Sequence, residues 1–132
     1  MNHNGNAEQF ELIHRYTRAQ AIEDGVLVDA SETAQEAGFC MPVAVTAAVF
    51  AEYVAVPDGV SDQDEEGRLW DVLWMLRHGI RANASEDPST VRFELYVRNS
   101  DRQEPELVAL KALCGPGDDA EPVITIMLPR ED

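Results

Sequence analysis

The hydrophobic pattern of the chain changes its period once, and this change constrains the fold more than any other feature. Before residue 83, large aliphatic residues recur at intervals of four, three and four, the spacing of one helical face. These residues are Leu69, Leu73, Leu76 and Ile80. From Val91 to Val97, apolar and polar residues alternate strictly, which is typical of a strand with one buried face. The pattern therefore predicts a long amphipathic helix followed by a sheet.

The predicted long helix covers residues 63–82. Ser61 and Asp64 have the spacing of a capping box, which predicts the start of the helix. Acidic residues crowd its first turns and basic residues its end, as the helix dipole favours. Sequence pattern and charge therefore agree on this helix.

Shorter helices are predicted in the first half of the chain. Thr17 and Gln20 form a capping box that opens one helix, which Gly25 ends. Ser31 is positioned to cap a second. Residues 43–54 are apolar on nearly every side, which predicts a buried central helix.

The chain of 132 residues has the length of one domain. Residues 1–9 are polar and are expected to form a disordered tail, so the domain is residues 10–132. Strands are predicted at residues 10–16, 26–28, 91–97, 107–114 and 123–128. The fold class is therefore predicted as α+β, with N-terminal helices, including the long amphipathic one, packed on a C-terminal antiparallel sheet of three or more strands.

The formal net charge is −15, which argues against direct binding of nucleic acid and of anionic membranes. No apolar stretch approaches the length of a spanning helix, and the first residues do not resemble a secretory signal. We therefore expect a cytoplasmic protein.

Acidic residues concentrate in two short segments of the sequence. Spread evenly over a surface of about 7,000 Å², the net charge would be about fourfold less dense than that of B-DNA. Mimicry of nucleic acid therefore requires acids to gather on one face, and the candidates for partner binding are the two segments. They comprise Asp58, Asp62, Asp64, Glu65 and Glu66, and then Asp118, Asp119 and Glu121. The alternative is that this charge serves solubility alone.

Motifs for catalysis, metals or cofactors are not found. The histidines lack ligand spacing, and no phosphate-binding glycine motif occurs, so no catalytic, metal or cofactor residues are predicted. If the protein has a cleft for acid–base catalysis or ligand binding, the candidate residues for it are Arg18, Asp29, Arg68 and Asp71. Trp70 and Trp74, four residues apart, would suit either the core or an interface.

Several motifs together carry a resemblance to a known family. They are YTRAQAIEDGVLVD at residues 16–29, SETA at 31–34, AGF at 37–39, PVA at 42–44 and GRLWDVLWML at 67–76. The chain resembles an uncharacterised domain family of unknown function found in small proteins of conjugative plasmids, integrative elements and phages. The resemblance implies a mobile-element setting, in which many small accessory proteins inhibit host restriction or CRISPR defence.

Three functions are compatible with these observations. The first is an acidic accessory protein that binds a host protein, such as a nucleic-acid-binding defence complex, through nucleic-acid-like charge. The second is a small enzyme or ligand-binding domain that uses the cleft of arginines and aspartates. The third is a self-associating structural or maintenance component of the element, a homodimer included, that uses the tryptophans or a free sheet edge.

Overall fold

The computed structural model describes residues 16–82, 87 and 89–131, which form a five-stranded sheet with helices packed against it. We number the elements in chain order. They are α1 (Arg18–Glu23), β1 (Leu27–Asp29), α2 (Ser31–Glu36), β2 (Val43–Thr46), α3 (Ala47–Val49) with a π-helical continuation (Phe50–Val54), α4 (Glu65–Ala82), β3 (Thr90–Val97), β4 (Glu106–Pro116) and β5 (Pro122–Met127). The predicted tail at residues 1–9 and most of the predicted strand at 10–16 lie outside the described residues.

The sheet is mixed, and its strand order is β1-β2-β5-β4-β3. The predicted meander of β3, β4 and β5 is confirmed, because both of its pairings are antiparallel. The predicted C-terminal antiparallel sheet is only part of the observed one, because β2 from the first half of the chain pairs in parallel with β5 and β1 pairs with β2. The long connection from β2 to β5 includes α4 and the β3–β4 hairpin, so it can return the chain in the parallel direction.

Residues 43–54 do not form the single buried helix that their apolar composition predicts. Their first part is β2, in which all four residues are buried. Thr46 then caps the following helical turns, since its Oγ1 accepts a hydrogen bond from Val49 N at 3.2 Å. A strand covered on both faces and a buried helix are apolar all round, so periodicity does not separate them.

Helix α4 confirms the predicted long helix, although its cap and its buried face differ in detail. Asp64 Oδ1 accepts a hydrogen bond from Gly67 N at 2.6 Å, so Asp64, and not Ser61, caps the helix. The face toward the sheet contains Arg68, Val72, Leu73 and Leu76. Ile80, which the pattern places on that face, is exposed.

The core lies between α4 and the inner face of the sheet. Phe93, Leu95 and Val97 of β3 are buried, while the residues between them are exposed, as the alternation predicts. At Gly79 the helix approaches β3 so closely that an added Cβ would lie 3.0 Å from Phe93 Cβ. Near the other end of the helix, Arg68 donates a hydrogen bond to Arg98 O at 3.1 Å. The two contacts show that α4 runs antiparallel to β3, so the start of α4 lies beside the end of β3.

The short helices are held in place by side-chain contacts to the sheet and to the backbone. The capping box of Thr17 and Gln20 is confirmed. Ser31 is the first residue of α2 and not its cap. Its hydroxyl instead accepts a hydrogen bond from Val43 N at 3.1 Å and donates one to Val43 O at 3.3 Å, which joins α2 to β2.

Candidate functional site

Two loops meet where β3 ends and α4 begins. One connects the π-helical turn to α4, and the other connects β3 to β4. Asp101 joins them, because its carboxylate accepts hydrogen bonds from Ser61 N at 3.2 Å and from Ser61 Oγ at 2.9 Å. Arg98 also forms an ion pair with Asp101. The hydrogen bonds from Ser61, and secondarily Arg98, hold the pKa of Asp101 below its ordinary value.

Arg68 is buried beneath these loops, with only 6% of its surface exposed. Its guanidinium donates to Tyr53 O at 3.1 Å, Gln63 Oε1 at 2.7 Å, Arg98 O at 3.1 Å and Asn99 Oδ1 at 2.6 Å. The acceptors belong to three separate segments of the chain. Arg68 therefore ties the π-helical turn, the loop before α4 and the end of β3 to one another.

The four acceptors of Arg68 are all uncharged oxygens. Among residues 16–82 and 89–131, no carboxylate lies within ion-pair distance of its guanidinium. Burial lowers the pKa of Arg68, and the charge of Asp71 partly counters this effect. The positive charge is thus kept beneath the surface by hydrogen bonds and not by a salt bridge.

A groove of about 520 Å³ opens above Arg68, between α4 and the end of β3. Its lining combines aromatic rings with carboxylates. The aromatic residues are Tyr53, Trp70 and Tyr96, and the acidic ones are Asp62, Asp64 and Asp71. Tyr96 is 68% exposed, and Trp70 is half-buried. This volume lies within the range of small-ligand sites.

Burial by the groove raises the pKa of Asp71 above its ordinary value, although Arg68 acts in the opposite direction. Burial likewise raises the pKa of Tyr53, and the charges of Glu52 and Glu106 add to this effect. Both shifts show that negative charge is less well solvated here than in bulk water. Perturbed groups in a cleft are typical of functional sites.

The structure brings one of the two predicted acidic segments to this groove. Asp58, Asp62, Asp64, Glu65 and Glu66 are all exposed and lie at the end of the molecule where α4 begins. Asp62 and Asp64 also line the groove. No basic residue occurs between residues 52 and 66. This group of five residues is called the acidic end below.

The second acidic segment lies at the opposite end of the sheet. Strand β4 runs antiparallel to β3, so the turn that follows β4 is beside the start of β3 and not its end. Asp118 accepts hydrogen bonds there from Arg18 N at 2.8 Å and Ala19 N at 3.0 Å, at the start of α1. Glu121 accepts one from Asp119 N at 3.1 Å. These acids stabilise local backbone and do not extend the acidic end.

The four residues of the predicted cleft separate into two pairs. Arg68 and Asp71 line the groove. Arg18 instead donates to Thr125 Oγ1 at 2.6 Å and lines a second cavity of about 380 Å³. Asp29 interacts electrostatically with Arg18, and its Oδ1 accepts a hydrogen bond from Ser31 N at 3.0 Å. The structure therefore does not assemble one cleft from all four.

The two tryptophans form part of an aromatic row along α4. The rings of Trp70 and Trp74 stack with centroids 5.8 Å apart. His78 meets Trp74 edge-on at 5.4 Å, and Arg77 Cζ lies 5.5 Å from the Trp74 centroid. Trp70 packs against the core, whereas Trp74 is exposed at the surface. The sequence allowed either position for both residues, and each tryptophan takes a different one.

Sequence reasoning singled out Trp70 but missed the two tyrosines of the groove, Tyr53 and Tyr96. Tyr96 stands on the exposed side of β3, where the alternation gives it no special role. Tyr53 lies in the segment that was predicted to be a buried helix. The sequence feature that indicated a polar site here was Arg68, an arginine on the apolar side of the predicted long helix.

Comparison with known proteins places the chain in a family. The model of a family of unknown function, DUF6573, matches residues 1–132. The chain belongs to the DUF6573 family. No curated protein and no solved structure matches it.

Within the part of the chain that the structure describes, no helix has the length and apolar character needed to cross a membrane. Across the same residues, no three His, Cys, Asp or Glu side chains converge as a metal site would require.

Proposed function

We propose that this DUF6573 protein is a cytoplasmic accessory protein of a mobile element that binds a basic, nucleic-acid-binding surface of a host defence protein and thereby inhibits it. The observation that carries the proposal is the acidic end, where five exposed carboxylates gather beside a groove. Clustered carboxylates attract the lysines and arginines that otherwise contact phosphates.

The basic residues near the acidic end do little to cancel its charge. Arg68 keeps its charge but is buried, Arg98 is paired with Asp101, and Arg102 is exposed in the same loop as Asp101. The five carboxylates of the acidic end therefore outnumber the unpaired arginines beside them. The hydrogen bonds from Ser61 to Asp101 also tie the loop that carries Asp58 and Asp62 to the loop after β3. A rigid, negative surface loses less entropy on binding than a mobile tail of the same charge would.

The test is capture of a host protein with the tagged chain, using two variants of equal charge. One variant carries Asp58→Asn, Asp62→Asn, Glu65→Gln and Glu66→Gln, and it keeps Asp64 because that residue caps α4. The control neutralises four exposed acids elsewhere, namely Glu23, Glu32, Glu36 and Glu94.

We expect the wild type and the control to capture a nucleic-acid-binding protein that high salt or duplex DNA releases. The acidic-end variant should lose it. Equal capture by both variants, or capture that DNA does not compete, would contradict the proposal. Comparing the two variants separates the position of the charge from its amount.

A second candidate function is binding of a small ligand in the groove, which its volume of about 520 Å³ favours. Such a ligand would raise the melting temperature of the protein alone. Stabilisation by a metabolite pool from the host, with no protein captured, would favour this candidate over the first.

A further inference from the structure

The groove differs from the exposed carboxylates around it because it combines negative charge with aromatic walls. Asp62 and Asp71 supply charge at its lining, while Tyr53, Trp70 and Tyr96 supply ring surface. The face of an aromatic ring is electronegative and attracts cations. Both components of the lining thus favour a positively charged group.

The two arginines that line the groove do not remove this preference. Four N–H groups of Arg68 are already donated to oxygens of the surrounding loops. Arg98 donates to Asp101 and to Ser61 O. Arg68 keeps its positive charge because its acceptors are neutral, whereas the charge of Arg98 is balanced by Asp101. The three carboxylates of the lining, Asp62, Asp64 and Asp71, outnumber the remaining charge of Arg68, so the groove stays negative.

Asp71 gives independent support for a cationic occupant. Asp71 lines the groove, where desolvation raises its pKa and the charge of Arg68 only partly compensates. A cation bound beside Asp71 would favour its ionised form by coulombic attraction and so offset the effect of desolvation. The site therefore holds a carboxylate that is better satisfied when a positive group is present.

We propose that the groove receives an arginine side chain from the basic surface of the partner, and this inference rests on the proposed function. A guanidinium is flat, so it can lie against the rings of Trp70 or Tyr96 while its edge donates to a carboxylate such as that of Asp71. The acidic end then attracts the partner over distance, and the groove anchors one residue of it.

The first experiment needs no identified partner. Acetyl-arginine amide is titrated into isotope-labelled protein and followed by NMR, with acetyl-citrulline amide as the uncharged probe of nearly equal shape. We expect saturable shifts at residues 62–71 and 95–98, and at least about fivefold weaker binding of citrulline. Equal binding of the two probes, or shifts confined to residues outside the groove, would overturn the proposal.

Single variants then locate the site. Asp71→Asn and Tyr96→Ala should each weaken arginine binding by about threefold or more, while Glu94→Gln, on the exposed face of β3, should not change it. Asp71 and Tyr96 are both exposed, so these variants are expected to fold. An unchanged affinity in both groove variants would also overturn the proposal.

The capture assay distinguishes this inference from the proposed function. If Tyr96→Ala and Asp71→Asn retain the partner while the acidic-end variant loses it, the groove inference is wrong and the proposed function stands. If arginine amide binds in the groove but no basic partner is captured, the site is supported and the proposed function fails.

Discussion

Replacing Arg68 by methionine tests whether the hydrogen bonds of this residue stabilise the fold. Methionine matches the aliphatic part of arginine and is apolar, so it keeps the packing of that part and removes every side-chain donor. Two of the four acceptors, Tyr53 O and Arg98 O, are backbone carbonyls that cannot turn toward water. The other two are side-chain amide oxygens, which can.

The expected cost follows from the two carbonyls. A buried acceptor that loses its partner costs about 1–3 kcal/mol, so two of them cost about 4 kcal/mol. The second donor to Arg98 O, Gln63 Nε2, lies 3.5 Å away, at the limit of a hydrogen bond, and replaces little of what is lost. Removing a desolvated charge offsets part of this, which leaves a net loss of about 3 kcal/mol. With an unfolding entropy of about 2.1 cal/mol/K per residue, the melting temperature of this chain of 132 residues should fall by about 11 °C.

The assay is urea unfolding and thermal denaturation of Arg68→Met beside Arg92→Met, a control on the exposed side of β3. The control should change stability by less than about 0.5 kcal/mol. Arg68→Lys should give an intermediate loss, since an ammonium cannot reach acceptors on three segments. If Arg68→Met is as stable as the wild type, desolvation outweighs the hydrogen bonds and the reasoning is refuted.

Three further changes test individual contacts. Asp71→Asn should stabilise the protein by less than about 1 kcal/mol at pH 7. The pKa of Asp71 is raised in the folded state, so its ionised form disfavours folding. Urea unfolding at several pH values should show that this gain in stability vanishes below pH 3.8, the ordinary pKa of the group. Asp101→Asn should destabilise the protein at pH 7, because the pKa of Asp101 is lowered in the folded state. In the same assay, the difference in unfolding free energy between wild type and variant should disappear as the pH falls through the folded pKa. A difference that stays constant with pH would contradict this prediction. Asp118→Ala should cost about 1 kcal/mol and speed hydrogen exchange across α1, whereas unchanged exchange there would exclude its capping role.

The parts of the fold that were predictable depend on local periodicity. The alternation in β3 and the helical spacing in α4 each describe one element with one buried face, and both elements are found. Residues 43–54 lack such a face. There, burial of β2 between β1 and β5 decided the conformation, and that is a long-range property of the sheet.

The candidate site was predictable only where its members are neighbours in sequence. The five carboxylates of the acidic end lie within nine residues, so any fold would keep them close together. Asp118 was grouped with them by charge alone, and the antiparallel course of β4 places it at the other end. Arg68 meets Asn99 across 31 positions of sequence, a contact that no local pattern contains.

We propose that the protein engages its partner through the acidic end and the groove beside it. Hydrogen exchange of the complex with the captured protein, compared with that of the free chain, measures which residues are covered. We predict slowed exchange at residues 58–71 and 95–98, with no change in the turn at 117–121. Protection of that turn, with residues 58–71 unaffected, would contradict the account.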